Sequence, residues 1–170
     1  MFYYGIDCGL KGGLVCISDK GKLVITRTMP IVVKGKKSSI DIESLAVLFA
    51  DLGQQQDCQT FIVENPGGHA PSAQGLRSMT YSFAVIEALL VNYGLQYDTV
   101  TARTWQKEFW QRPKLPKGAK FDTKAAALGA ANLIWPNQSW LPSKRHRVAH
   151  DGIVDAALLA EYGRRKAHNG

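Results

Sequence analysis

The chain has 170 residues, 45% of them apolar and 21% charged, with a formal net charge of +7. This balance excludes a disordered chain, and no run approaches the about 20 consecutive apolar residues that a membrane-spanning helix needs. The length suits one domain over residues 1–170 with a sizeable core.

In chain order, residues 2–8 (FYYGIDC), 14–18 (LVCIS) and 23–29 (LVITRTM) read as a three-stranded antiparallel meander joined by GLKGG and SDKGK. Next comes a basic loop, VVKGKKSS. In IDIESLAVLFADLG, Ile42, Leu45, Leu48 and Phe49 recur at helical spacing, with Gly53 as a stop. QTFIVENP is a strand ending at Glu64, and the glycine-rich NPGGHAPS follows it. A long helix is predicted over 74–93, with Gly94 just past its end. LQYDTVTA is a fifth strand, and TARTWQKEFW a short helix opened by a threonine cap. After the loop PKLPKGAK, DTKAAALGAANLIWP is a helix with Asp122 or Thr123 near its start. The polar linker NQSWLPSKRHRVAH leads to a final helix, DGIVDAALLAEYGRRK. The order predicts an α/β fold, with a central mixed sheet of five strands, three antiparallel and then two parallel, and helices on both faces.

Cys8, Cys16 and Cys58 lack CxxC spacing and lie in apolar runs, which predicts reduced core thiols. With no signal-peptide pattern at the N-terminus, the expected location is the cytoplasm of a bacterial or phage-infected cell, with an organelle as the alternative.

The positive charge falls in four clusters: Lys34, Lys36 and Lys37; Arg112, Lys114, Lys117 and Lys120; Lys144, Arg145 and Arg147; and Arg164, Arg165 and Lys166. Each reads either as a solvated loop or helix end, or as part of a surface for a polyanion such as nucleic acid.

Four acids lie in or beside apolar segments. Asp7 is inside the first strand, Glu64 ends the strand FIVE, and Asp151 and Asp155 lie four apart, on one face of the last helix. Three segments thus aim carboxylates at what reads as one point, where their repulsion calls for a counter-ion. Oxygen ligands without cysteine or paired histidine fit Mg²⁺, with Mn²⁺ able to substitute. Two such ions about 3.5–4 Å apart activate water and stabilise the leaving oxygen of a phosphodiester. Asp151 has an alternative role as the N-cap of the last helix. His150 beside it is a candidate to touch metal, phosphate or attacking water, or else an ordinary polar surface residue.

Taken together, GIDCGLKGGL around Asp7, FIVEN around Glu64, VTARTWQKEF, and the ending HDGIVDAALLAEYG resemble the RuvC family of Holliday-junction resolvases, within the RNase H-like superfamily. Its phage and organellar branches typically end in H-x-G-x-x-(D/E)-A-x-L-(I/L)-A-x-Y-G. The resemblance implies an RNase H-like fold in which Asp7, Glu64 and Asp155 match the metal-binding acids, with Asp151 as the fourth. Bacterial members place the last two acids three apart, whereas position 152 here is glycine. They also carry an aromatic wedge after the glutamate, where NPGGHAPS has none. Lys107 falls where the family has DNA-contacting basic residues, and Lys124 is a further phosphate-contact candidate. Under this resemblance Lys36, Lys37, Lys107, Lys114, Lys117, Lys120, Lys124, Lys144, Arg145 and Arg147 are the expected DNA-binding side chains. The apolar residues of the long helix (Met79, Tyr81, Phe83, Val85, Ile86, Leu89 and Leu90) suggest a homodimer interface, with burial in a monomer core as the alternative. The implied activity is a metal-dependent, structure-specific endonuclease that makes paired nicks in four-way or branched DNA. An RNase H-like nuclease on RNA–DNA hybrids and a non-catalytic junction binder are the alternatives.

Overall fold

The computed structural model describes residues 1–54, 59–67, 72–116 and 118–169. Lys117, Cys58 and residues 68–71 of the glycine-rich loop after Glu64 lie outside the described residues. The strands are β1 (Phe2–Asp7), β2 (Gly13–Ser18), β3 (Leu23–Thr28), β4 (Ile31–Lys34), β5 (Lys37–Ile40), β6 (Gln59–Asn65) and β7 (Tyr97–Thr101). The helices are α1 (Ile42–Gly53), α2 (Ala73–Asn92), α3 (Ala102–Gln106), α4 (Thr123–Ile134) and α5 (Asp151–Asn169).

Five strands form one sheet in the order β3-β2-β1-β6-β7. The β1–β2 and β2–β3 pairs are antiparallel, while β1–β6 and β6–β7 are parallel. This is the expected mixed sheet. The carboxyl ends of β1, β6 and β7 therefore all lie at the same edge of the fold.

The basic segment expected as a loop is instead a hairpin, β4–β5, in which Lys34 pairs with Lys37. Its two-residue turn, Gly35-Lys36, puts glycine at φ +62, the first-position positive φ that two-residue hairpins favour. Clustered lysines hid the alternation of Ile31, Val33 and Ile40. The hairpin is rooted near the sheet, since Asp41 N–H donates to Pro30 O at 2.9 Å and Met29 N–H to Gly12 O at 2.9 Å.

Helix starts follow the sequence signals. Asp41, Ser72 and Asp122 accept the backbone N–H three residues on, at Ser44, Gly75 and Ala125. Thr101 occupies the cap position of α3 without a capping bond; its hydroxyl pairs with that of Thr104 at 2.9 Å. Gly53 is the last residue of α1 rather than a stop after it, and Gln54 closes the helix. Gly94, at φ +66, takes the chain out of α2 as expected.

Alternation along β1 and β6 divides the core in two. Tyr4, Ile6, Phe61 and Val63 face α1 and α2, packing with Leu45, Phe49, Ile86 and Leu90. Tyr3 and Ile62 face the other way, towards α3, α4 and α5, with Trp105, Ala131 and Leu158. On that second face α5 lies almost directly on the strands' backbone. A Cβ at Gly5 would fall on the Ala156 carbonyl oxygen and within 2.5 Å of Ala160 N, and one at Gly13 within 2.6 Å of Gly152 O. Gly152 meets the Lys11 carbonyl and the Gly12 backbone in the same way.

Gly5→Ala should therefore destabilise the chain by about 3 kcal/mol or more, because backbone rather than a mobile side chain must move. Gly129→Ala in α4, where nothing lies within 4 Å of the added carbon, should be neutral or stabilise by up to about 1 kcal/mol. Urea unfolding of the two variants checks the contrast.

Candidate metal and nucleic-acid site

The same alternation aims the strand acids. Asp7 follows Gly5 by two residues and Glu64 follows Ile62 by two, so both side chains leave the sheet on the α5 face. The parallel register pairs Ile6 with Val63, which leaves Asp7 and Glu64 as neighbours at the ends of adjacent strands, about 4.8 Å apart along the hydrogen-bonding direction. Asp7 Oδ1 accepts the Gly9 N–H at 3.0 Å. Glu64 Oε2 accepts the indole N–H of Trp105 at 2.9 Å.

The third contribution comes from α5. Its first turn sits on Gly12 and Gly13 through Gly152, and its second turn on Gly5 through Ala156. Asp155 is carried between these contacts, towards the end of β1. It is pushed up to about 8 by burial and by the charges of Asp7, Glu64 and Asp151. Glu64 is pushed up to about 7 by burial and by Asp7, with the Trp105 hydrogen bond opposing. Asp7 is raised by burial and by Asp151, against the Gly9 N–H and the nearby His150. Three acids thus feel one another through a poorly solvated space, and among the described residues none of the three makes an ion pair.

Asp151 differs from them. It is half-exposed and ion-paired with Lys124, the second residue of α4. Its alternative role as helix cap falls to His150 instead, whose Nδ1 accepts the Ile153 N–H at 3.3 Å and whose carbonyl accepts from Ile153 and Val154. In the tautomer this implies, Nε2 carries the proton.

The donor set fits a hard divalent cation: carboxyl oxygens whose charged forms burial and mutual repulsion disfavour until a cation joins them, with the described cysteines on the opposite face of the sheet. Among the described residues no group of three or more His, Cys, Asp or Glu side chains stands as a finished metal cage.

Of the expected DNA contacts, Lys36, Lys37, Lys107, Lys114, Lys120, Lys124, Lys144, Arg145 and Arg147 are all exposed. Lys107 follows α3 directly, on the segment leaving β7 beside Glu64. Lys124 touches Asp151. Residues 144–147 belong to the segment entering α5, pinned by the His150 N–H to Trp140 O bond at 2.8 Å. The cluster at 164–166 is largely structural. Arg164 and Arg165 both hold the buried Glu161, at 2.7 and 2.9 Å, and Arg165 also covers the Phe109 ring.

Two residues escaped the sequence reading. Trp105, fully buried, positions Glu64; an indole flanked by Phe109 and Trp110 in a short segment after a strand is its only sequence signal. Glu161 is an acid in an apolar run that has nothing to do with the site.

No family model matches the sequence, and no curated protein is similar to it at the sequence level. Among solved structures, Thermus thermophilus RuvC in complex with a Holliday junction substrate superposes with a TM-score of 0.62 at 11% identity, covering 100% of this chain and 96% of that one. A second structure of T. thermophilus RuvC gives 0.57 at 12% identity, covering 98% and 97%. The fold is RuvC-like. In this RuvC-like frame, an RNase H-like mixed sheet with helices on both faces, Asp7, Glu64 and Asp155 stand where β1, β6 and α5 converge.

Because Glu64 and Asp155 titrate higher folded than unfolded, their contribution to stability is full below about pH 4 and is lost as pH rises through 7 and 8. In EDTA the thermal midpoint should fall by several degrees from pH 5 to pH 8.5, with 1 kcal/mol worth about 2–4 °C at this size. Asp155→Asn should flatten that fall, and Mg²⁺ or Mn²⁺ at pH 8 should reverse it in the wild type. Scanning fluorimetry across pH reads all three.

Proposed function

We propose that this chain is a divalent-cation-dependent endonuclease acting on four-way or branched DNA. The observation that carries this reading is the convergence of Asp7, Glu64 and Asp155, none of which makes an ion pair among the described residues, beside an Asp151 held by the exposed Lys124. A structural acid cluster would carry its own cations, as Glu161 does. This one leaves its charge for something that binds.

Asp7, Glu64 and Asp155, with Asp151 at the rim, would hold the ions, two in number for phosphodiester hydrolysis. Bound there, they supply the charge that activates water and stabilises the departing oxygen. The protein's own groups do the rest. The Gly9 N–H fixes one Asp7 oxygen and leaves the other for a ligand. Trp105 is a positioning residue, holding Glu64 Oε2 and leaving Oε1 for a ligand. His150, locked by its capping bond, offers Nε2–H to a phosphate oxygen or a water. Lys124 neutralises Asp151 until a phosphate competes for its ammonium.

The exposed lysines and arginines would bind DNA arms through phosphates, so that junction shape rather than base sequence guides docking. In this reading a two-fold homodimer places two such sites on symmetry-related strands. The apolar residues of α2 divide accordingly. Ile86 and Leu90 are spent on the core, whereas Tyr81 and Val91 remain exposed and available to a partner copy.

On a synthetic immobile four-way junction with Mg²⁺, the wild type should nick two opposing strands. Asp7→Asn should lower cutting at least about a thousandfold, or ~4 kcal/mol of barrier, while junction affinity stays within about threefold. Binding without cutting in either Mg²⁺ or Mn²⁺ would leave a junction-binding protein. Preferential cutting of a matched RNA–DNA hybrid would move the substrate to hybrids.

A further inference from the structure

Linked to Glu64 through Trp105 lies a recess that none of the four acids lines. Arg103, Gln106, Lys107, Trp110, Gln111 and Arg112 line a cleft of about 560 Å³ on the segment that leaves β7, within the size range of small-ligand pockets. Trp110 joins it to the acid site. Its ring meets Trp105 edge-on, with centroids 5.7 Å apart and planes at 86°, and Trp105 donates to Glu64.

The chemistry of the lining is one-sided. Three side chains are cations and none is an acid. Arg112 Nη2 donates to Gln106 Oε1 at 2.7 Å, which fixes the guanidinium relative to α3. The indole N–H of Trp110 is buried and has no acceptor among the described residues, so it is the ring of Trp110, not its N–H, that the cleft offers to a ligand. A complementary ligand is anionic, rich in hydrogen-bond acceptors and partly flat. A nucleotide has all three properties. Residues 65–72, which directly follow Glu64, contain no Phe, Tyr or Trp, and Trp110 is the indole that lines this cleft.

We propose that this cleft takes a single unpaired nucleotide of the DNA, next to the phosphate being cut, with its base against Trp110 and its phosphate on Arg103 and Arg112. The inference rests on the nuclease reading above and adds to it a point of base contact. It makes α3 and the segment after it the part of the chain that holds a nucleotide released when a base pair opens at a branch point, where stacking is interrupted as it is not in continuous duplex.

The test is a set of binding cycles on four-way junctions in EDTA, so that nothing is cut. Single abasic sites are placed at each of the three nucleotides flanking the branch point. For the wild type, one position should weaken binding about tenfold, the scale of losing one base–aromatic contact. For Trp110→Ala the same abasic site should cost less than about threefold, because the contact is already gone. Trp110→Phe, which keeps a ring against Trp105, should fall between them and serves if the alanine variant does not fold. Arg112→Ala should weaken intact and abasic junctions equally. If the protein and DNA changes multiply at every position, the cleft holds no base and the inference is overturned, while the nuclease reading stands. If the wild type binds no junction at all, both fall.

Discussion

Everything at the acid site depends on one packing constraint, the docking of α5 backbone-to-backbone on β1 and β2. Gly5, Gly13 and Gly152 leave no side chain between helix and sheet, and Ala156, Ala157 and Ala160 keep the helix face low. At ordinary helix–sheet separation, Asp155 would stand well clear of Asp7. Here they share a poorly solvated space, and their repulsion is opposed by the apolar burial along the rest of α5, from Ile153 to Tyr162. The helix is held down by its middle so that its first two turns can tolerate charges that repel. Local strain sustained by a well-packed surround is the usual arrangement at functional sites.

Much of this was legible in the sequence because it follows from period. Alternation in FYYGID and FIVE fixes which face Asp7 and Glu64 leave by, and a spacing of four fixes that Asp151 and Asp155 share a helix face. The mixed sheet, three antiparallel strands and then two parallel, followed from three short strands at hairpin spacing and two strands each preceded by a helix. What was not legible depended on contacts distant in the chain. The bond from Trp105 to Glu64 joins residues 41 positions apart. The pairing of Lys124 with Asp151 depends on how α4 lies against α5. The β4–β5 hairpin was obscured by composition, since lysine at three of its central positions reads as a solvated loop, although Gly35-Lys36 is a turn that two short strands can use.

Glu161 sharpens the rule by which the acids were chosen. It lies in ALLAEYG, as apolar a setting as Asp155, and is almost fully buried. Yet Arg164 and Arg165 follow it at i+3 and i+4, the positions from which a helical side chain can reach back to it, and they lower its pKa against the effect of burial. Asp155 has Leu158 and Leu159 at the same offsets. An acid in an apolar helix is therefore a ligand candidate only when those positions lack a cation. The distinction can be read from the sequence by anyone who asks where each buried charge finds its partner.

The separation of charge sign in space has a consequence for how such a site would meet a polyanion. Lysines and arginines lie on exposed segments, where water and salt screen them over about 8 Å at physiological ionic strength, whereas the acids sit in a space where screening is weak. Phosphates some distance from the acids would be attracted whether or not cations are present. A phosphate at the acids themselves would be repelled until divalent ions reverse the local sign. Under the nuclease reading, docking of the arms and placement of the scissile phosphate are thus electrostatically distinct steps governed by different residues, with Lys124 at the boundary, able to hold Asp151 or a phosphate oxygen but not both at full strength.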